Sequence, residues 1–261
     1  MGEKIGNGEY FMGDCLEVMK DIPDGSVDMV LCDLPYNVLK EVRWDSLIEP
    51  EQLFGHYKRI CKPKAALVLT AQQPFTSTLI EYGIKYFEKY YAMVWDKGRA
   101  TGFLFKDIRP MAAHEDILVF YQNRHTYIPG ATMLDEPVKR KGKKAKTSGE
   151  SFIGRDTLDK EYFVEAVGYP TSVVRTDPLE MAKWDWIDKG IHPTRKPVPL
   201  FQQLIQWYSK PDDVVLDNTA GSGTTALAAQ STGRKWICIE QDQHYYDVGT
   251  YLVKEYIRRY R

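Results

Sequence analysis

The chain is poor in cysteine, and this scarcity excludes two structural classes. Only four cysteines occur in 261 residues, and no two of them form a Cys-x-x-Cys pair. Small domains stapled by disulfides and modules built on zinc both depend on closely spaced cysteines. The sequence therefore predicts neither a disulfide framework nor a structural zinc site, and we assign no metal ligands.

Long hydrophobic runs are also missing. No uninterrupted apolar stretch approaches the roughly 20 residues that a membrane-spanning helix needs. The first residues, Met1-Gly2-Glu3-Lys4, lack the apolar core of a signal peptide. Hydrophobic residues make up 43% of the chain, which is enough for the core of one α/β domain carrying an insertion. We expect a cytoplasmic globular protein.

No strong charge excess is present either, because 35 Lys and Arg balance 36 Asp and Glu. A net charge of −1 is unusual for a protein that coats nucleic acid indiscriminately. One segment departs from this balance and contains no acid. It carries Lys139, Arg140, Lys141, Lys143, Lys144 and Lys146. Such a cluster can hold phosphates through counterion release, so we predict contact with DNA or RNA; the alternative is a solvated, mobile loop.

The order of apolar segments indicates an α/β fold. Strands are predicted over 10–12, 27–32, 65–70, 90–95, 116–121, 213–217 and 235–240. Helices are predicted over 16–20, 50–61, 75–82 and 199–209, after Ser222, and from about Gln243. The strands 90–95 and 116–121 are expected to form an antiparallel pair that closes the sheet. From 121 to about 190 the pattern gives way to Pro, Gly, Lys and Ser, which predicts a long insertion.

Two strand ends carry the most informative residues. The apolar strand 27–32 stops at Asp33-Leu34-Pro35-Tyr36, and the strand 214–217 continues into Asn218-Thr219-Ala220-Gly221-Ser222-Gly223 before a helix. Parallel sheets bind their ligands where the strands end. Two such ends on one sheet predict a site for two substrates.

These segments resemble the motifs of a known enzyme family. Asp33-Leu34-Pro35-Tyr36 is similar to the Asp-Pro-Pro-Tyr motif of amino-group DNA methyltransferases, and 217–223 is similar to their S-adenosylmethionine motif. His192-Pro193-Thr194-Arg195-Lys196-Pro197 resembles their His-Pro-Thr-Gln-Lys-Pro segment. The catalytic motif precedes the cofactor motif, as in the β group of these enzymes, and small prophage-encoded methylases have this size and layout.

The resemblance implies a permuted, Rossmann-like methyltransferase sheet. In it the C-terminal strands 213–217 and 235–240 lie beside the N-terminal strands. The implied organisation is a catalytic half over 1–121, a target-recognition insertion over 122–190 and a cofactor-binding half over 191–261. The basic segment falls in the implied recognition region, which strengthens its assignment to DNA.

By the same resemblance the cofactor is S-adenosylmethionine. The two glycines would let the backbone approach its methionine part, Glu240 would accept hydrogen bonds from the ribose hydroxyls, and Asp14 would accept one from the adenine amine. Thr194 and Lys196 match residues that hold the cofactor carboxylate. The full predicted set is Asp14, Cys15, Thr194, Lys196, Asp217, Ala220, Gly221, Ser222, Gly223, Thr224 and Glu240. The alternative for Asp14 and Glu240 is that they cap helices.

The catalytic set is predicted to be Asp33, Leu34, Pro35 and Tyr36. The resemblance implies that the Asp33 carboxylate and the Leu34 carbonyl accept hydrogen bonds from the target amine. Tyr36 would stack on the base, which must leave the duplex to reach the site. The family's second proline is Leu34 here, a change that preserves the carbonyl. The alternative is an ordinary strand-end turn.

The residue types favour adenine N6 as the acceptor, with cytosine N4 as the alternative. Asp rather than Ser at position 33 supports adenine, and the absence of a Pro-Cys pair argues against carbon-5 methylation of cytosine, which needs a thiolate. A catalytically idle nucleic-acid-binding protein on this fold is the alternative from another class. A partner restriction enzyme cannot be read from the sequence, and we expect a homodimer only because dimers are frequent in this group. Arg99 and Lys106 lie on a further loop that could touch DNA.

Overall fold

The computed structural model describes residues 2–35, 48–141, 161–187 and 195–260, with the backbone alone for 140, 141, 161 and 162. The strands are β1 Glu3–Ile5, β2 Gly8–Met12, β3 Val27–Asp33, β4 Cys61–Ala71, β5 Lys89–Thr101, β6 Ala112–Tyr121, β7 Thr132–Lys141, β8 Glu161–Val167, β9 Val173–Arg175, β10 Val214–Asp217 and β11 Lys235–Glu240. The helices are α1 Cys15–Val18, α2 Pro50–Ile60, α3 Phe75–Phe87, α4 Pro178–Ala182, α5 Val198–Tyr208, α6 Thr224–Ser231 and α7 Gln243–Tyr260.

The chain divides into two compact units. The first comprises 1–128 and 172–261, and the second is Pro129–Thr171. The second unit contains the antiparallel pair β7 and β8, in which Lys139 lies opposite Phe163. Its bounds fall inside the range 122–190 predicted as an insertion.

The first unit is built on a nine-stranded sheet in the order β1-β2-β11-β10-β3-β4-β6-β5-β9. The strands β2, β11, β10, β3 and β4 are mutually parallel, whereas β6 runs antiparallel to both of its neighbours. The two C-terminal strands therefore lie between β2 and β3. This arrangement confirms the predicted permuted sheet, and the pairing of β5 with β6 confirms the predicted antiparallel pair.

Both faces of this sheet are buried, which explains the near-continuous apolar runs of its central strands. Along β3, Met29 and Leu31 face one hydrophobic cluster, and Val30 and Cys32 face the other. Helices α5, α6 and α7 cover the first face, and α2 and α3 cover the second. Side chains of successive strand residues point to opposite faces, so a strand without polar positions fits only between two helical layers.

Several short strands and helices were not predicted from the sequence, and the length of one predicted helix was wrong. The region 121–190 was predicted as a long insertion without individual elements, and it contains β7, β8, α4 and the three-residue β9, which pairs with β5 in the main sheet. The helix predicted over 16–20 is α1 followed by a 3₁₀ turn over Met19–Asp21. Three residues carry too little periodicity to mark a strand, so β9 depends on its long-range partner. Within the described ranges, no helix has the length and apolar composition needed to cross a bilayer.

Candidate active site

The strands β3, β10 and β11 end at one edge of the sheet, here called the carboxyl edge, and most of the predicted site residues lie there. The backbone N–H of Gly13 donates to the Glu240 carbonyl at 2.9 Å, and Thr219 Oγ1 donates to the Asp33 carbonyl at 3.2 Å. These bonds tie the ends of neighbouring strands together. Residues more than 180 positions apart thereby share one site.

Asp33 is held at both carboxylate oxygens. Thr70 Oγ1, on the neighbouring strand β4, donates to Asp33 Oδ1 at 2.5 Å. Lys196 Nζ donates to Asp33 Oδ2 at 2.6 Å. The Asp33 side chain is still 26% exposed, whereas Leu34 beside it is buried. The carboxylate is thus fixed in orientation and partly accessible to solvent.

Lys196 belongs to a chain of buried ion pairs. Its ammonium also lies 3.1 Å from Glu115 Oε2, and Lys97 Nζ lies 3.5 Å from Glu115 Oε1. The side chains of Lys196 and Glu115 are only 6% and 9% exposed. Burial alone would lower the pKa of Lys196, but the charges of Asp33 and Glu115 outweigh it and raise that pKa. Lys196 is therefore a protonated cation at neutral pH.

The glycine-rich turn after β10 has the backbone conformation that its sequence predicts. Gly221 and Gly223 have φ values of +52° and +81°, in the left-handed region that favours glycine. A Cβ added at Gly221 would meet no atom of the described residues within 4 Å, whereas one at Gly223 would lie 3.2 Å from Gly249 Cα. Open space therefore adjoins the first glycine, and close packing against α7 explains the second.

Glu240 holds this turn from the end of β11. Its Oε2 accepts from the Gly221 N–H and its Oε1 from the Asp242 N–H, both at 2.8 Å. Burial raises the pKa of Glu240, and these backbone donors oppose that shift. The Tyr10 hydroxyl also stabilises the turn, because it donates a hydrogen bond to the Gly221 carbonyl at 2.9 Å. Tyr10 was not among the site residues predicted from the sequence.

Asp14 and Asp217 have local structural roles, and for Asp14 this role is the helix cap given above as the alternative. Asp14 caps α1 by accepting from the Leu16 N–H at 2.8 Å. Asp217 is 3% exposed and accepts from Thr225 Oγ1 and from the Thr219 N–H. Burial raises the pKa of Asp217 to about 7, although these bonds oppose the shift. The Asp217 carboxylate organises the turn from the protein interior.

Arg195, adjacent to Lys196, is the most unexpected basic residue of the site. Its Nε donates to Thr224 Oγ1 at 3.1 Å, close to the start of α6. Burial lowers the pKa of Arg195 to about 10. Among the described residues, its buried Nη2 has no hydrogen-bond partner. A buried guanidinium nitrogen beside a helix N-terminus is suited to receive an anion.

The remaining predicted residues are distributed as follows. Cys15, Ala220, Ser222 and Thr224 are buried around the turn, and burial raises the pKa of Cys15 to about 11. Lys139 is exposed on β7, where Arg140 and Lys141 are described by backbone only. Predicted residues outside the described ranges are Tyr36, Lys143, Lys144, Lys146 and Thr194.

Three contacts around Asp33 and Lys196 were not predicted from the sequence, namely Thr70 with Asp33, Glu115 with Lys196, and Lys97 with Glu115. Thr70 ends β4 at the level of Asp33, and Lys97 and Glu115 lie on β5 and β6 where these strands extend past the carboxyl edge. Their position at that edge was the available signal. Among the described residues, no cluster of three or more metal-binding side chains is present.

The comparisons with known proteins agree with this geometry. The profile of the N6_N4_Mtase family, described as DNA methylase, matches residues 27–251. A DNA adenine methyltransferase of Escherichia coli, YhdJ, is 28% identical over 258 residues, covering 91% of this chain and 79% of YhdJ. Two solved structures share the fold. The M1.HpyAVI-SAM complex has a TM-score of 0.59 at 18% identity, covering 94% of this chain and 99% of its own. The PvuII cytosine-N4-specific DNA methyltransferase has a TM-score of 0.60 at 17% identity, covering 99% and 96%.

Proposed function

Because the chain belongs to the N6/N4 DNA methylase family, we propose that it transfers the methyl group of S-adenosylmethionine to the exocyclic amine of a flipped-out DNA base, preferentially N6 of adenine. The observation that carries this proposal is the state of Asp33. Its carboxylate accepts hydrogen bonds from Thr70 and Lys196 and is partly exposed to solvent, and its backbone carbonyl accepts one from Thr219 of the glycine-rich turn. An acceptor of this kind suits a neutral amine.

The residues around the turn fit the cofactor. Gly221 borders open space, and Glu240 beside it has both oxygens oriented by backbone amides, which leaves lone pairs for the ribose hydroxyls. Asp14 adjoins Glu240 and would receive the adenine amine. Arg195 Nη2 and the N-terminus of α6 provide positive charge for the carboxylate. The cofactor supplies an activated methyl group on a sulfonium.

The chain's own contribution is to position the amine. Such an amine is a weak nucleophile because its lone pair is delocalised into the ring, so alignment must supply most of the acceleration. The Asp33 carboxylate and the Leu34 carbonyl would each accept a hydrogen bond from the amine. These two bonds would orient the nitrogen lone pair toward the methyl carbon. The N–C bond then forms as the C–S bond breaks, and the amine releases one proton to solvent. Lys196 restricts the rotation of the Asp33 carboxylate.

Adenine is favoured over cytosine by two observations. Asp occupies position 33, and the relative YhdJ is named a DNA adenine methyltransferase. Cytosine N4 is the second candidate, since the PvuII enzyme of the same fold is cytosine-N4-specific. Both reactions use the same geometry at the amine. The acceptor base therefore depends on the pocket beyond Asp33.

The remaining contacts extend this proposal to DNA. Tyr36 would stack on the flipped base, which can reach the site only outside the duplex. The exposed Lys139 begins the basic segment, whose cations would bind phosphates and release counterions. A homodimer is proposed for this enzyme as for other members of the group.

The decisive test is Asp33→Ala. We expect methyl transfer to fall by about 10²- to 10³-fold, because a positioned hydrogen bond to the reacting group is lost. The fold and cofactor affinity should persist, since Asp33 lies at the end of β3 outside the hydrophobic clusters. The assay is incorporation of tritiated methyl groups into DNA, followed by identification of the modified nucleoside.

Asp33→Ser is the matched variant, because a hydroxyl still accepts a hydrogen bond from an amine. We expect low residual transfer, still to adenine. Wild-type transfer by Asp33→Ala would refute the catalytic assignment. If the wild type yields only N4-methylcytosine, the adenine assignment is wrong and the mechanism stands.

A further inference from the structure

The strands β5 and β6 project beyond the carboxyl edge and end in an exposed loop, residues 102–111, here called the tip loop. Asp33 pairs with Thr70, which pairs with Ile117 of β6. β6 begins five residues earlier, at Ala112, where it pairs with Thr101 of β5. At about 3.3 Å per residue, the tip loop lies roughly 17 Å past Asp33 along the strand direction. It stands on the side from which a substrate must approach Asp33.

The tip loop is ordered, yet it turns its large apolar side chains outward. Its 3₁₀ turn Phe103–Phe105 is closed by a hydrogen bond from the Phe105 N–H to the Gly102 carbonyl at 2.9 Å. The N–H groups of Ile108 and Arg109 both donate to the Phe105 carbonyl at 2.9 Å. Leu104 is nevertheless 90% exposed and Ile108 81% exposed. A monomer gains nothing from this arrangement, and exposed apolar groups concentrated in this way mark contact surfaces.

The charges of the tip loop and its base are mainly positive. Arg99, Lys106 and Arg109 are exposed, and Asp107, the only acid between residues 97 and 111, is paired with Lys106 at 2.5 Å. Arg109 lies 5.2 Å from the ring centre of Phe105. Apolar and cationic groups therefore alternate along the tip loop. This pattern suits a nucleic acid, in which apolar stacked bases lie next to charged phosphates.

We propose that the tip loop inserts Leu104 and Ile108 into duplex DNA beside the target base, and that this wedge stabilises the flipped state while Arg99 and Arg109 hold the flanking phosphates. Apolar side chains inserted between base steps partly unstack them. The inference rests on the proposed DNA methylation. Nothing in the tip loop itself contacts Asp33, so the wedge acts on base extrusion rather than on methyl transfer.

A second copy of this chain is the other partner that an apolar surface could meet. The three exposed cations argue against it, because a symmetric contact would bring like charges together. The position at the catalytic edge argues in the same direction, since DNA must reach that edge for the reaction. Charge and location therefore favour DNA.

The test compares the double variant Leu104→Ala, Ile108→Ala with the control Ile84→Ala. Ile84 is an exposed residue of α3, 45% exposed and remote from the carboxyl edge. The methylated site is first determined by modification-sensitive sequencing of DNA from cells expressing the wild type. Two duplexes with that site are then prepared, one intact and one with an abasic position opposite the target, where extrusion of the base is easier.

On the intact duplex we expect the double variant to lose about tenfold or more in kcat/KM, with the control unchanged. On the abasic duplex most of this loss should disappear. 2-Aminopurine at the target position should fluoresce less in the variant complex. Equal losses on both duplexes, or no loss, would overturn the proposal. The proposal would also be overturned if sedimentation showed a dimeric wild type and a monomeric double variant with unchanged activity per subunit, because the tip loop would then be a contact between two copies of the chain. A wild type that methylates no DNA would instead refute the proposed function.

Discussion

The ion pairs of Lys196 give the sharpest test of the site. Lys196→Met removes the cation that Asp33 and Glu115 share, and methionine keeps a similar length and width. Breaking a buried pair by removing one partner costs about 3–5 kcal/mol. Lys97 still lies 3.5 Å from Glu115, and Asp33 is partly solvated, so we expect the lower part of this range, about 3 kcal/mol. Urea unfolding at pH 8 measures it.

The choice of pH 8 for the unfolding measurement follows from the direction of the pKa shift of Lys196. The pKa of Lys196 is raised in the folded protein, so its stabilisation is complete below the unfolded value of 10.5 and is lost as pH rises through the higher folded pKa. At pH 8 the wild type therefore has the full contribution. The deficit of Lys196→Met should narrow at alkaline pH, where the wild type loses its own stabilisation.

Activity should respond as well. Without the ammonium, the Asp33 carboxylate loses one of the two hydrogen bonds that orient it, so we expect a loss in kcat of about 10²-fold. Lys196→Arg retains the positive charge and should recover part of this rate, since arginine also binds carboxylates.

A matched control lies at the opposite edge of the same strands. Lys62 pairs with Asp28 at 2.8 Å, but its side chain is 42% exposed. Lys62→Met should cost at most about 1 kcal/mol and leave kcat unchanged. A Lys196→Met variant that matches the wild type in stability and kcat would contradict the positioning role of Lys196. So would a variant that loses cofactor affinity by calorimetry while its kcat at saturation is normal, because Lys196 would then hold the cofactor carboxylate.

Two further predictions concern the glycine-rich turn. Gly221→Val should weaken S-adenosylmethionine binding measured by calorimetry on folded protein, because a branched side chain disfavours φ of +52° and fills space that the protein leaves open; wild-type affinity would mean that the cofactor lies elsewhere. Asp217→Asn should alter the pH dependence of stability. The pKa of Asp217 is raised from 3.8 to about 7, so the wild type should lose stability relative to Asp217→Asn as pH rises between these values, by on the order of 4 kcal/mol in urea unfolding. Parallel pH curves would refute the burial argument.

The order of the sheet strands, and the residues that lie at its carboxyl edge, could be predicted from the amino-acid sequence. The strands at 27–33, 214–217 and 235–240 are apolar at every position facing a helical layer, and each ends in an acid or a glycine turn. Their order along the chain, combined with the parallel-sheet rule, was enough to place Asp33, Gly221 and Glu240 at one edge. These features could be predicted because burial favours apolar residues along a strand, and a left-handed turn favours glycine, so both restrict the residue type at each position.

Which charges meet could be seen only in the folded structure. Lys196, predicted to hold the cofactor carboxylate, contacts Asp33 and Glu115, residues 163 and 81 positions away. Arg195, one residue earlier, has the nitrogen without a partner among the described residues. A flexible basic side chain reaches several neighbours, and its partner depends on distances that no local pattern encodes. Leu104 and Ile108 are likewise exposed because β5 and β6 extend beyond the other strands of the sheet. Strand propensity alone does not reveal how far two strands extend past their neighbours.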